Sequence, residues 1–116
     1  MEKKLFDAID YSILSSGKRL RPFLVLKSSE LFSVEKERAL RVAAAIEMVH
    51  AYSIVHDDLP SMDDDDLRRG KPTTHKKFNE AIAILTGDSL LTLSFEILSD
   101  TLTHSDAKIR CELISE

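Results

Sequence analysis

The sequence predicts an all-α fold, and three observations carry that expectation. Glycine and proline number only three each in 116 residues, so the chain has few helix breakers. Apolar residues recur at three- and four-residue intervals in each long segment. Aromatic residues make up 6% of the chain and tryptophan is absent, whereas strands favour aromatic and β-branched residues. No repeat, low-complexity linker or composition shift divides the chain, so residues 1–116 are expected to form a single domain.

The elements follow in order. Leu5, Ile9 and Ile13 recur at helical spacing, and Gly17 stops that helix. Pro22 is well placed to open a second helix through Leu24, Leu26 and Leu31. Ser33 is expected to cap a third, with Glu35 and Glu37 at its positive end. Val42, Ile46, Val49 and Ser53 trace one face of that helix toward Asp57. Pro60 disturbs it, and residues 61–78, with Gly70 and Pro72 inside, read as an ordered loop. Asn79 then caps the last long helix. From Ala81 to Leu98 only Asp88 and Glu96 are charged, and a helix apolar all round requires burial on all sides. A chain of this size buries only about two thirds of its unfolded surface. A missing remainder, an oligomer, or both are therefore expected.

Charge and composition narrow the function. The net charge of -4 argues against general nucleic-acid binding. The single cysteine, Cys111, rules out a disulfide within the chain and suits a reducing cytosol. No apolar run is read as approaching the roughly 18–20 residues of a membrane span. The stretch Met1–Asp7 lacks a signal-peptide core. A soluble, cytoplasmic protein is the expectation.

The charge is strongly patterned. Asp57, Asp58 and Asp63 to Asp66 put six carboxylates into ten residues, with Lys18, Arg19 and Arg21 before them and Arg68, Arg69 and Lys71 after. Carboxylate oxygens are hard ligands that suit magnesium, an ion usually held by one or two carboxylates plus substrate phosphates. Asp57 and Asp63 are six residues apart, about 120° from one another on a straight helix. Pro60 lies between them, and a bend there would bring Asp63 back toward Asp57. An EF-hand is excluded because no register supplies both its glycine and its glutamate. Lys18 and Arg21, three apart, point the same way near a helix start, and arginine forks grip phosphate at two points. His50 lies seven residues before Asp57 and shares its face, with Ser53 between. Taken singly, an acidic run reads equally as a solvated loop, an arginine pair as a solvated surface, and a helical histidine as a packed residue. His56, Glu47, His75 and His104 are assigned structural roles.

Three segments together resemble a known family. The run Ser16-Gly17-Lys18-Arg19-Leu20-Arg21-Pro22 is similar to the GGKRLRP segment of the trans-isoprenyl diphosphate synthases, the polyprenyl synthetase family. The run from His50 through Asp57-Asp58 and Asp63 to Arg68-Arg69 and Pro72 resembles its first aspartate-rich motif with the trailing arginines. The segment Ala81 to Leu91, with Gly87-Asp88, also fits. The resemblance covers nearly the whole chain and is closest to the N-terminal part of bacterial farnesyl-forming members. Ser16 departs from the usual double glycine, which touches only the shape of the turn that presents Lys18.

The resemblance implies a partial antiparallel helix bundle of the isoprenyl diphosphate synthase type, and roles residue by residue. Lys18, Arg21, His50 and Arg69 would bind isopentenyl diphosphate, and Arg68 would contact the allylic diphosphate. Asp57, Asp58 and Asp63 would be the catalytic magnesium ligands. The implied chemistry is ionisation of the allylic diphosphate, with magnesium and arginine neutralising the departing pyrophosphate. The double bond of isopentenyl diphosphate then attacks the carbocation and a proton is lost, in a pocket dry enough to keep water from the cation. Tyr52, five residues before Asp57 and about 7.5 Å along the helix, would limit the tail and give a fifteen-carbon product.

Family members carry a second aspartate-rich motif in their C-terminal half, and this sequence has no other acidic run of that kind. A homodimer or a complementing C-terminal half is the implied partner. Two other classes compete with the enzyme: a non-catalytic remnant or subunit that binds diphosphate and magnesium without turnover, and a class I terpene cyclase. Lys18, Arg21 and His50 disfavour the cyclase, which needs no isopentenyl diphosphate site.

Overall fold

The computed structural model describes residues 1–15 and 17–116; Ser16, where the glycine pair is broken, lies outside the described residues. The described elements are α1 (Glu2–Leu14), α2 (Leu20–Leu31), α3 (Lys36–Asp57), β1 (Leu67–Arg68), β2 (Lys71–Pro72), α4 (Thr74–Lys77), α5 (Glu80–Ser99) and α6 (Ala107–Ser115). The all-α expectation holds, with one two-residue-per-strand hairpin added. The chain divides into two compact units, one of residues 1–17 and 49–91 and the other of residues 18–48 and 92–116. The single-domain reading placed no boundary inside α3 or α5, and both helices contribute to each unit.

In the first unit α1 packs on the segment after the hairpin. Tyr11 donates its hydroxyl to the Pro72 carbonyl at 2.6 Å, and the Ser12 and Thr74 hydroxyls meet at 3.0 Å. Phe78 lies edge-on to Tyr11 at 5.9 Å, and the Lys77 ammonium sits 4.6 Å over the same ring. Ala8, Ala51, Val55, Ile82, Ala83 and Leu90 are buried here.

In the second unit Ala39, Ala43, Ala45 and Leu98 are buried. Arg41 holds the turn after α5: its Nε donates to Thr103 at 2.9 Å, and its Nη2 lies 3.3 Å from Asp100.

Helix ends follow backbone chemistry, and one differs from the sequence reading. Ser33 does not cap α3. It adopts a left-handed φ of 54° just after α2. Its N–H donates to Glu30 O at 3.2 Å and that of Val34 donates to Ser29 O at 3.0 Å. That pair of bonds is a Schellman closure, with serine where glycine is usual. Pro22 falls inside the first turn of α2, where its missing N–H removes no helical bond. Asn79 caps α5 as expected, accepting from the Ile82 N–H at 2.8 Å.

Two further expectations change. Residues 61–78 are not only loop. Arg69 (φ 54°) and Gly70 (φ 77°) form a two-residue turn with both central residues left-handed, the type that matches strand twist. It sets the pairs Leu67–Pro72 and Arg68–Lys71. The α5 helix is also not buried on all sides. Ile82, Thr86, Leu90, Ser94 and Leu98, at four-residue spacing, form its buried stripe, while Ile84, Leu85 and Phe95 are 41–44% exposed. The packing available within these residues covers one stripe only. An 18-residue stretch of this 20-residue helix has a mean hydropathy of 1.6, so the helix is long and apolar enough to cross a membrane by length and composition, as the core helix of a soluble protein also is. The sequence reading missed this because Asp88 and Glu96 interrupt the apolar run without lowering its mean enough.

Replacing the α5 cap, Asn79→Ala, should cost about 1 kcal/mol. Urea unfolding should show a lower midpoint with an unchanged slope.

Candidate functional site

The acidic run is shaped by how α3 ends. Asp57 is the last helical residue, and Pro60 cannot donate a backbone hydrogen bond to continue the ladder. The chain instead folds back over the helix end. The Asp63 N–H donates to the Asp57 carbonyl at 2.8 Å, Asp65 N–H to Asp58 O at 3.2 Å, and both Met62 and Asp64 N–H to Leu59 O. These bonds satisfy carbonyls that a helix terminus leaves without partners. The bend expected at Pro60 therefore joins Asp57 and Asp63 through their backbones. Both side chains are exposed. They sit at the negative end of the helix dipole, which adds to carboxylate charge and favours a cation.

Asp58 takes a different position from its neighbours. It is buried, at 3% exposure. Its carboxylate accepts from Arg68 Nε at 3.0 Å and from Arg68 Nη2 at 2.6 Å, a two-point fork that leaves Nη1 for other partners. The hydrogen bond to Asp58 raises the Arg68 pKa above the ordinary arginine value; burial opposes it, and the charges of Asp58, Asp65 and Asp57 reinforce it. The pair fastens β1 to the end of α3. Arg69, next in sequence, occupies the exposed tip of the hairpin.

An open cleft of about 480 Å³ lies against the C-terminal half of α3, lined by Tyr52, Ser53, His56, Asp57, Leu59, Ser61, Met62 and Ile84. Its lining is mostly apolar, with Asp57 as the charged group. His56 closes one side. Its ring meets Tyr52 edge-on at 5.3 Å, and Nε2 lies 3.0 Å from the Ile84 carbonyl. A carbonyl only accepts, so Nε2 carries the proton. Gly87 makes this packing possible, because a Cβ there would sit 2.1 Å from His56 Nε2.

The remaining sequence candidates are placed as follows. His50 is half-buried on α3, two turns before Asp57, and its carbonyl accepts from Ser53 Oγ at 2.7 Å. Lys18 and Arg21 are exposed at the start of α2. Between them Arg19 adopts φ 54° and pairs with Glu47 at 3.0 Å, which fixes the turn they share. The cleft residues Leu59, Ser61, Met62 and Ile84 were not singled out in the sequence, since nothing in their spacing marks them apart from core or loop.

Comparison with known proteins adds to this geometry. The family described as polyprenyl synthetase matches residues 2–116. The chain is 53% identical over 111 residues to farnesyl diphosphate synthase of Escherichia coli K12, covering 95% of this chain and 37% of that protein. It is 50% identical over 106 residues to the chloroplastic geranylgeranyl pyrophosphate synthase 7 of Arabidopsis thaliana, covering 91% of this chain and 30% of that protein. A crystal structure described as an apo FPP/GFPP synthase from Zymomonas mobilis superimposes with a TM-score of 0.95 at 54% identity, over 98% of this chain and 41% of that one. The chain thus spans about 30–41% of the length of these relatives.

Removing Arg68 leaves the buried Asp58 carboxylate unpaired, whereas removing Asp58 frees a guanidinium that water can reach. Arg68→Ala should therefore destabilise by about 2 kcal/mol and by more than Asp58→Asn. Urea unfolding of the two variants in parallel gives the comparison; the reverse order would remove the clamp from the account of this site.

Proposed function

This chain belongs to the polyprenyl synthetase family, and on that premise we propose that the protein is a magnesium-dependent prenyltransferase. It would condense an allylic diphosphate, dimethylallyl or geranyl, with isopentenyl diphosphate to give farnesyl diphosphate in isoprenoid biosynthesis. The observation that carries the reading is the mostly apolar cleft that runs along α3 from Asp57 to Tyr52. An allylic diphosphate has the matching form, an anionic head on an apolar tail. A cytoplasmic location accompanies this proposal.

The residues present fit a divalent cation. Asp57 and Asp63 offer only oxygen donors, exposed and tied through their backbones at a helix C-terminus, which suits a hard ion such as magnesium. When bound, magnesium would supply Lewis-acid neutralisation of the charge that develops on the pyrophosphate. Asp57 and Asp63 hold that ion in this reading, with Asp58 behind them keeping Arg68 in place. Arg68 turns its remaining Nη1 edge to the allylic diphosphate. His50 and Arg69, together with Lys18 just before α2 and Arg21 in its first turn, bind isopentenyl diphosphate in this reading. The apolar side chains of Leu59, Met62 and Ile84 line the cleft and would offer no nucleophile to the allylic carbocation formed when the C–O bond ionises.

Tyr52 sets product length in this reading, because its ring lines the cleft on the same helix as Asp57. Relatives of similar identity carry names with either a farnesyl or a geranylgeranyl product. The family alone therefore leaves length open, and the cleft has to decide it.

Incubation with magnesium, geranyl diphosphate and isopentenyl diphosphate should yield a fifteen-carbon diphosphate that is lost in Asp57→Ala. Absence of product from the folded protein would overturn the catalytic reading and favour a non-catalytic diphosphate-binding role. Tyr52→Ala should shift the product mixture toward twenty carbons or more on chromatography, and an unchanged product would sink the role given to that ring.

A further inference from the structure

A second group of ligating side chains lies at the base of the hairpin, apart from Asp57 and Asp63. One carboxylate oxygen each from Asp64 and Asp66 and one ring nitrogen of His75 lie within 4.8 Å of one another. The aspartates are exposed, but His75 is only 6% exposed. An acidic cluster of this kind says little alone. The buried Nε2 of His75, which has no hydrogen-bond partner, adds an independent observation.

Thr73 Oγ1 donates its single proton to the Asp65 carbonyl at 2.8 Å. The contact between Thr73 Oγ1 and His75 Nδ1 at 3.2 Å must then run the other way, with Nδ1–H as donor. The tautomer that satisfies both contacts has its proton on Nδ1 and a bare lone pair on Nε2. That atom is buried with no hydrogen-bond partner, the one such side-chain nitrogen or oxygen among the described residues. A buried lone pair without a partner is costly. An imidazole fixed by a hydrogen bond at Nδ1 with Nε2 free is the usual state of a metal ligand.

We propose that His75 Nε2, with the carboxylates of Asp64 and Asp66, forms a binding site for a divalent transition-metal ion of the zinc class. The donor set decides the class. One imidazole with two carboxylates suits zinc, whereas magnesium and calcium favour oxygen alone. Lys76 Nζ now lies 3.2 Å from Asp66 Oδ1, but both side chains are substantially exposed, at 49% and 69%, and a surface pair of this kind yields readily to an ion.

The site has a structural consequence. Asp66 immediately precedes β1 and His75 follows β2 by three residues, so an ion bridging them would clip the two ends of the hairpin. The Thr73 N–H to Asp66 O bond at 3.0 Å already begins that closure. The clip would hold the strand bearing Arg68 and the tip bearing Arg69. The inference does not depend on the catalytic reading, because it concerns metal binding alone.

Titration of the metal-free protein with Zn²⁺ by calorimetry tests it, with Co²⁺ substitution to report nitrogen ligation in the visible spectrum. With magnesium in excess to occupy the Asp57–Asp63 site, one equivalent of Zn²⁺ should bind. Asp64→Asn and Asp66→Asn should each weaken binding by about tenfold or more, His75→Gln should abolish it, and Asp57→Asn should leave it unchanged. Should the buried His75 variant fail to fold, the exposed aspartate variants decide alone. Three outcomes would each overturn the site: no saturable Zn²⁺ binding by the folded protein, binding indifferent to Asp64→Asn and Asp66→Asn, or binding that falls with Asp57→Asn instead.

Discussion

The hydrogen bond from the Asp63 N–H to the Asp57 carbonyl, at 2.8 Å, is the constraint on which the site depends. A helix ending at Asp57 with an extended exit would scatter the six carboxylates along a solvated loop. Pro60 forbids a continued helix, and the carbonyls of Asp57, Asp58 and Leu59 then require other donors. The chain supplies them from Asp63, Asp65, Met62 and Asp64, so the acidic run is wound back over the end of α3. Asp64 takes a left-handed φ of 52° to complete the reversal, a conformation aspartate tolerates better than most residues.

The same reversal sorts the aspartates by role. Asp58 faces inward and is met by the Arg68 fork, while Asp57 and Asp63 face outward. The hairpin follows from this contact. Arg68 is placed opposite Lys71 by a two-residue turn, and the left-handed Arg69 precedes a glycine that accepts the second left-handed position at no steric cost. Tyr11 and Ser12 of α1 hold the far side of the hairpin through Pro72 and Thr74. A helix whose own residues carry no proposed chemistry thus positions a loop that does.

Much of this was legible in the sequence. Helical spacing located the long helices, Asn79 announced the start of α5, and Pro60 foretold the bend that unites Asp57 with Asp63. What was not legible depended on backbone conformation and on contacts that residue type does not announce. Ser33 reads as a cap by residue type, but whether it closes one helix or opens the next is settled by backbone hydrogen bonds to Ser29 and Glu30. Arg69-Gly70 lacks the asparagine or aspartate that usually marks a tight hairpin, so the strands on either side were hidden in a charged stretch. The need for glycine at position 87 becomes plain only when the His56 ring is found against it. Likewise, the unpaired nitrogen of His75 exists only in three dimensions, because its proton is assigned by Thr73 and the carbonyl of Asp65.

The electrostatics of the acidic run close the physical account. Arg68 meets Asp58, and Lys76 meets Asp66. Among the described residues the carboxylates of Asp57, Asp63, Asp64 and Asp65 have no ion pair. Four like charges wound over the negative end of a helix repel one another and the dipole. A fold that gathers them does so against its own stability, unless cations share the site. The paired and unpaired aspartates therefore have different physics. Asp58 stabilises the hairpin through a cation of the chain itself, whereas Asp57 and Asp65 feel the Arg68 charge only at longer range. That division explains how one short run both builds a loop and leaves carboxylates exposed to solvent.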